Sequence, residues 1–195
     1  MNRILDKKYK PIIYFKTQEE WEKWLSKNFD KSDGIWLKFY KKNSGIATVT
    51  YDQALDEALC FGWIDGQAKS FDEKSYLQRF TPRRSKSIWS KKNTEHITRL
   101  TKLGKMKPSG TKAVEAAKAD GRWQKAYESP KNMTVPEDFL KELVKNKKAY
   151  DFFKTLNKTN TFTVSWQLHN AKRPETRERR MRKFIQMLER REKLY

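Results

Sequence analysis

The sequence predicts an α+β fold: a small mixed sheet built in βαβαββ order with helices, followed by a C-terminal helical bundle. Three observations carry that reading. Short runs before residue 81 have strand-like apolar patterning, capping signals set helices between those runs, and after residue 136 the apolar stripes all have helical spacing. The segment "YESPKNMTVP", with two prolines and little periodicity, divides the chain into an α+β domain over residues 1–128 and a helical domain over 129–195.

The elements follow in order. "KPIIYF" is a short apolar strand, and Thr17 with Glu20 is a capping box opening a helix that puts Trp21, Trp24 and Leu25 on one face. Asp33-Gly34 turns the chain. "IWLKFY" then alternates Ile35, Leu37 and Phe39, the inward set, against Trp36, Lys38 and Tyr40, with Lys38 outward. A second capping box, Thr50 with Gln53, opens the helix "TYDQALDEALCFGW", whose inner stripe is Leu55, Ala58, Leu59 and Gly62 and which stops at Asp65-Gly66. "QAKSF" and "SYLQRF" form a hairpin across "DEK", with Tyr76, Gln78 and Phe80 on one face and Leu77 and Arg79 on the other.

Pro82 cannot continue a central strand, so the chain leaves the sheet there and enters a helix near Ser87 or Ser90. Its apolar stripe is Ile97, Leu100 and Leu103, and Gly104 ends it. "KMKPSG" reads as a loop and Ala113 to Ala119 as a short helix capped by Gly121. Helices over 136–145, 148–156 and 161–170 follow. A fourth opens with Pro174 at its first position and turns Met181, Phe184, Ile185 and Leu188 inward.

Composition bounds the partners. Of 195 residues, 44 are Lys or Arg and 24 Asp or Glu, a net charge of +20, yet seven Trp, eight Tyr and eleven Phe supply the bulky apolar surface that a disordered chain lacks. Such a charge points either to an anionic partner (nucleic acid, an acidic lipid surface or a phosphorylated small molecule) or to a surface that serves solubility. Cys60 is the only cysteine, which excludes an intrachain disulfide and a zinc site of several thiolates. "MNRILDKKYK" has no apolar core of signal-peptide length and no run of about 18 apolar residues occurs, so the cytoplasm is the expected compartment.

Several chemistries are disfavoured. His96 and His169 stand in no metal-ligand spacing, and each reads as a helix histidine with a hydrogen-bond partner. No glycine-rich phosphate loop is present, so no metal and no cofactor is expected. Cys60 lies in an apolar helix segment, as a small buried hydrophobe would.

The stretch "RFTPRRSKSIWSKKN" is different, with six cations, no carboxylate, and Phe80, Ile88 and Trp89 among them. A strand end carrying Arg79, a turn carrying Arg83 and Arg84, and a helix start with free N–H groups, Ser87, Ser90 and Asn93 would converge on an anion, with Trp89 as an aromatic wall. The competing reading makes Ser87 or Ser90 a helix cap, Trp89 core, and Arg83 and Arg84 exposed. Asp65 either orients one of these arginines or forms a turn. In "AKRPETRERRMRK", Arg177 shares the packed face of the last helix; it either meets an acidic partner from another element or borders a cleft together with Lys172 and Arg180.

"ALCFGWIDG", "RFTPRRSKSIWSKKN" and the tail pattern of Trp166, Ala171, Lys172, Glu175, Thr176, Arg177 and Arg180 together resemble the YdeI/OmpD-associated family, also called bacteriocin-protection proteins. The resemblance covers nearly the whole chain. It implies an α+β main part with a helical C-terminal domain and a role in protection against bacteriocins and cationic antimicrobial peptides; it supplies no catalytic residues. The expected function is a cytoplasmic binding protein with a site for a phosphate-bearing ligand or nucleic acid. The alternative is an enzyme acting on a small anionic substrate, with Asp65 as base or orienter.

Overall fold

Local sequence signals resolve, in a computed structural model that describes residues 4–5, 10–128 and 132–193, into five strands, eight α-helices and one short 3-10 helix among those residues. The chain forms two units, Met1–Ala126 and Tyr127–Tyr195. In the first, β1 (Ile4–Leu5), β2 (Pro11–Tyr14), β3 (Ile35–Tyr40), β4 (Trp63–Asp72) and β5 (Ser75–Pro82) make one mixed sheet in the order β1-β2-β3-β5-β4. Only β2 and β3 run parallel, and α1 (Gln18–Asn28) connects them; the other pairs are antiparallel. The pair β1–β2 adds a strand to the expected βαβαββ order.

Capping residues set the helix starts. Thr50 and Gln53 close a full capping box on α2 (Tyr51–Cys60). At α1 only half of the expected box forms: Thr17 accepts from the Glu20 amide at 3.3 Å, while the Glu20 carboxylate reaches past Thr17 to the Lys16 amide at 2.7 Å. The second helix is shorter than its apolar pattern. Gly62 takes φ +77°, a left-handed conformation open to glycine, and the chain emerges extended, so β4 begins at Trp63 and Asp65 lies on a strand, not in a turn.

Two further corrections concern the next helices. Leu103, read as part of the stripe of α3 (Lys91–Lys102), is the residue just past its end and is 58% exposed. The expected loop "KMKPSG" ends inside α4 (Pro108–Ala119), because Pro108 takes the first helical position and the Lys107 amide is bonded to the Cys60 carbonyl. Gly110 lets α4 approach α2: a Cβ there would lie 2.8 Å from the Cys60 carbonyl carbon and closer still to its oxygen.

The core lies on one face of the sheet. Ile13, Ile35, Leu37, Phe39 and Phe80 pack against Trp21, Trp24, Leu25, Leu55 and Leu59 of α1 and α2, and α3 and α4 add Ile97, Leu100 and Val114. Burying each large aliphatic side chain contributes about 2 kcal/mol. The buried indoles of Trp21 and Trp63 donate to the carbonyls of Ala54 and Phe29, both at 3.0 Å, so their polar atoms cost little. Where β4 and β5 lose register between Asp65 and Ala68, the inward Gln78 amide donates to the Gly66 carbonyl at 2.8 Å, satisfying the bulge.

In the second unit, α5 (Glu137–Leu143), α6 (Lys147–Phe153), α7 (Lys158–His169) and α8 (Pro174–Glu189) bury Phe139, Leu143, Ala149, Val164, Leu168, Phe184 and Leu188. Asn146 and Asn157 cap α6 and α7 by accepting from the amides of Ala149 and Asn160. Pro174 occupies the first turn of α8. Of the expected dividing segment, residues 129–131 lie outside the described residues.

Candidate functional site: the outer face of the sheet

The residues expected to form one anion site are used separately. Ser90 caps α3, its hydroxyl oxygen accepting from the Asn93 amide at 3.1 Å. Trp89 is only 2% exposed, packed against Trp123 at 5.1 Å, so it presents no aromatic wall to a ligand. Arg83 is drawn onto it: its guanidinium carbon lies 3.6 Å from the Trp89 ring centroid and one nitrogen donates to the Ile88 carbonyl at 2.8 Å. The Ser87 carbonyl accepts from Arg122 at 2.9 Å, and Arg84 is exposed. The aromatic and the capping residues therefore build the turn into α3.

Asp65 cannot orient Arg79. It stands opposite Phe80 in the β4–β5 register, on the inner face, where its carboxylate accepts from the Tyr51 hydroxyl at 2.7 Å. Arg79, one residue along β5, projects to the outer face. Burial and the neighbouring Asp65 charge push the Tyr51 phenol well above its usual range, so it stays protonated and a donor.

The outer face is where Arg79 finds company. The register sets Ile12, Trp36 and Arg79 in one row across β2, β3 and β5, and Tyr14, Lys38, Leu77 and Lys69 in the next, across β2, β3, β5 and β4. Ile12, Trp36 and Leu77 form a small buried cluster made of strand residues alone. The Lys69 ammonium sits 4.3 Å from the Trp36 ring centroid, and that of Lys38 lies 4.6 Å from Tyr40 and 4.8 Å from Phe71. Tyr14 meets Tyr40 edge-on at 5.3 Å.

This face is electrostatically positive. Burial pulls the Lys38 ammonium towards neutrality, but its contacts with Asp72 (3.2 Å) and Tyr40 outweigh that and raise its pKa, so it stays charged. Arg79 keeps a buried Nε that finds no hydrogen-bond partner. A buried donor left unmade costs roughly 1–3 kcal/mol. Sequence alternation turns Lys38 outward and sets Arg79 on the same face as Leu77; what local pattern does not contain is that β3 and β5 are neighbours, which makes that face the outer one.

Two arginines of the basic tail serve internal structure, while Lys172, Arg173, Arg179, Arg182 and Lys183 are exposed. Arg177 meets an acidic partner from another element: it donates from Nε and a terminal nitrogen to both oxygens of Asp138, each at 2.7 Å, and to the Leu168 carbonyl at 2.6 Å. Arg180 donates to the Gln167 carbonyl, and Lys172 is exposed. Arg177 also lines a groove of about 600 Å³ between α5 and α8, floored by Met181 and Ile185, which Lys172 and Arg180 do not line. His96 and His169 take the partners expected of helix histidines, the Asp56 carboxylate and the Thr134 carbonyl. Cys60 is buried, and burial pushes its thiol up to about 12.

Among the described residues no cluster of His, Cys, Asp and Glu is placed to hold a metal ion, and no helix is long and apolar enough to cross a membrane.

Comparison with known families follows the division of the chain. A family model described as a domain of unknown function matches residues 13–113, and one described as "Bacteriocin-protection, YdeI or OmpD-Associated" matches residues 132–191. The resemblance drawn over nearly the whole chain is thus carried by the tail pattern; "ALCFGWIDG" and "RFTPRRSKSIWSKKN" fall in the other match. No curated protein and no solved structure matches. The chain therefore belongs, through residues 13–113, to a family of domains without assigned function, and its helical unit carries a match to the YdeI/OmpD-associated, bacteriocin-protection model over residues 132–191.

Proposed function

We propose that this is a cytoplasmic binding protein that takes a polyanion on the outer face of its sheet, and that its part in bacteriocin protection runs through that binding. The observation that carries the reading is the grouping of Lys38, Lys69 and Arg79 with Tyr14, Trp36, Tyr40 and Phe71 on one strand face. A net charge of +20 attracts such a partner over distance and repels a cationic peptide, so direct capture of a cationic bacteriocin is disfavoured. Arg84, Lys86, Lys91 and Lys92, all exposed before and within the first turn of α3, strengthen the field without forming a pocket.

The test is a titration of labelled oligonucleotide and of heparin at low ionic strength, repeated at rising salt. Binding of both is expected, weakening linearly on a log–log plot, and Lys69→Ala is expected to lower the oligonucleotide salt slope by about one. If neither polyanion binds at low salt, the reading is wrong.

A further inference from the structure

We infer that the polyanion is single-stranded nucleic acid, whose bases stack on the rings at the hairpin end of the outer face; this rests on the polyanion reading above. Base stacking needs aromatic faces that are open, held in place, and bordered by cations. Tyr14 and Phe71 are 36% and 39% exposed, unusual for rings carried on two different strands of one sheet. Ile46, in the loop that receives the Tyr14 hydroxyl at the Ala47 carbonyl, is a third exposed apolar side chain at this end, 43% accessible.

The rings are fixed before any ligand arrives. Tyr14 is held at its hydroxyl and against the edge of Tyr40, with an interplanar angle of 87°. The Lys38 ammonium, tied to Asp72, contacts both Tyr40 and Phe71. Rings held in this way lose little freedom on binding. The register sets Tyr14 and Lys69 three strand spacings apart, about 14 Å, the width of a short run of nucleotides laid across the strands. Lys41, Lys42, Lys69 and Lys74 are exposed at its borders, where phosphates would fall.

The geometry favours this ligand over its rivals. A duplex hides the faces of its bases and is read by an element inserted into a groove, whereas this surface offers ring faces on a sheet. Heparin and polyphosphate carry charge without a planar group to stack. An anionic membrane would also accept rings bordered by lysines, and it is therefore an outcome of the test.

The experiment measures fluorescence anisotropy of the full chain with labelled oligodeoxythymidine, a duplex of the same length, heparin, and phosphatidylglycerol vesicles. The single strand is expected to bind about tenfold more tightly than the duplex. Phe71→Ala is expected to weaken the single strand about tenfold but heparin by less than about twofold, and Phe71→Trp to restore the single strand, with neither shifting the melting temperature. Equal affinity for single strand and duplex, or a Phe71→Ala variant that binds like the parent, overturns the inference while heparin binding keeps the polyanion reading intact. Binding to vesicles without binding to oligonucleotide assigns the face to a lipid surface and overturns it too. Failure of every polyanion at low salt removes both.

Discussion

Asp56 and Glu57 are neighbours on α2, yet the fold drives their carboxyls in opposite directions. Burial disfavours the Asp56 charge, but an Arg99 nitrogen lies 2.6 Å from both of its oxygens and His96 Nδ1 lies 2.8 Å from one, so the carboxyl is held below its usual range. Glu57 is pushed up by burial, opposed by one hydrogen bond from the Gln18 amide at 2.6 Å and reinforced by the Glu22 charge. One residue step turns about 100° around a helix, enough to aim one carboxyl at α3 and the other at α1.

The two carboxyls therefore give stability opposite dependences on pH. A depressed carboxyl contributes stability above its unfolded value, about 3.9 for Asp, and loses it as pH falls through the folded value. Asp56→Asn is expected to cost about 2 kcal/mol at neutral pH, with the gap closing in strong acid. For Glu57 the sign reverses: its contribution is complete below the unfolded value, about 4.3, and is lost as pH rises through the folded one. Glu57→Gln, which keeps an acceptor for Gln18, is expected to raise the urea midpoint at neutral pH. Urea unfolding across acid and neutral pH reads both.

Gly110 tests the packing of α4 on α2. Alanine suits a helix by propensity, but here its methyl would overlap the Cys60 carbonyl, a backbone group that cannot rotate away. Gly110→Ala is expected to destabilise the α+β unit by about 3 kcal/mol in chemical denaturation. A neutral or stabilising result would mean that the helices separate easily.

The arginines near α3 are separable by the same measurement. Trp89→Ala should cost about 4 kcal/mol as a buried aromatic truncation. Arg83→Ala should cost about 1 kcal/mol through its lost stacking on the indole, and Arg84→Ala should stay within about 0.5 kcal/mol of the parent. Chemical denaturation ranks the three.

Cys60 should resist chemistry in the native state. With a buried thiol pushed up to about 12, iodoacetamide at neutral pH is expected to label it only as fast as the chain opens, and rapidly in urea. Labelling of the folded protein at the rate of a free thiol would contradict the packing of α2.

Much of the fold was legible in the residues because the relevant physics is short-ranged. Thr50 with Gln53 and the stripe of Trp21, Trp24 and Leu25 each involve residues within about two helical turns, and each gave the element found. The misreadings had local causes too. Gly62 fits the helical stripe by spacing, but a glycine there also permits the left-handed exit that ends α2 early. Leu103 fits the apolar period of α3 but lies beyond its last turn, where nothing covers most of its surface.

The candidate site was legible only in pieces. Alternation turns Lys38 outward and sets Arg79 on the face of Leu77, but the expected grouping follows sequence proximity, joining Arg79 to Arg83, Trp89 and Ser90. In the fold those residues serve the turn and cap before α3, because burying an indole under a guanidinium and satisfying a helix end outweigh leaving them open.

What the sequence determined by itself is most of the elements, the inner face of the helices and of β3, and the basic character of the whole, since periodicity, caps and composition are properties of neighbouring residues. What the tertiary structure decided is strand order. By placing β5 against β3, it set Arg79 beside Trp36 and gathered Lys38, Lys69 and the tyrosines on one face, because strand neighbours are chosen by long-range burial of the opposite face, which no local pattern encodes.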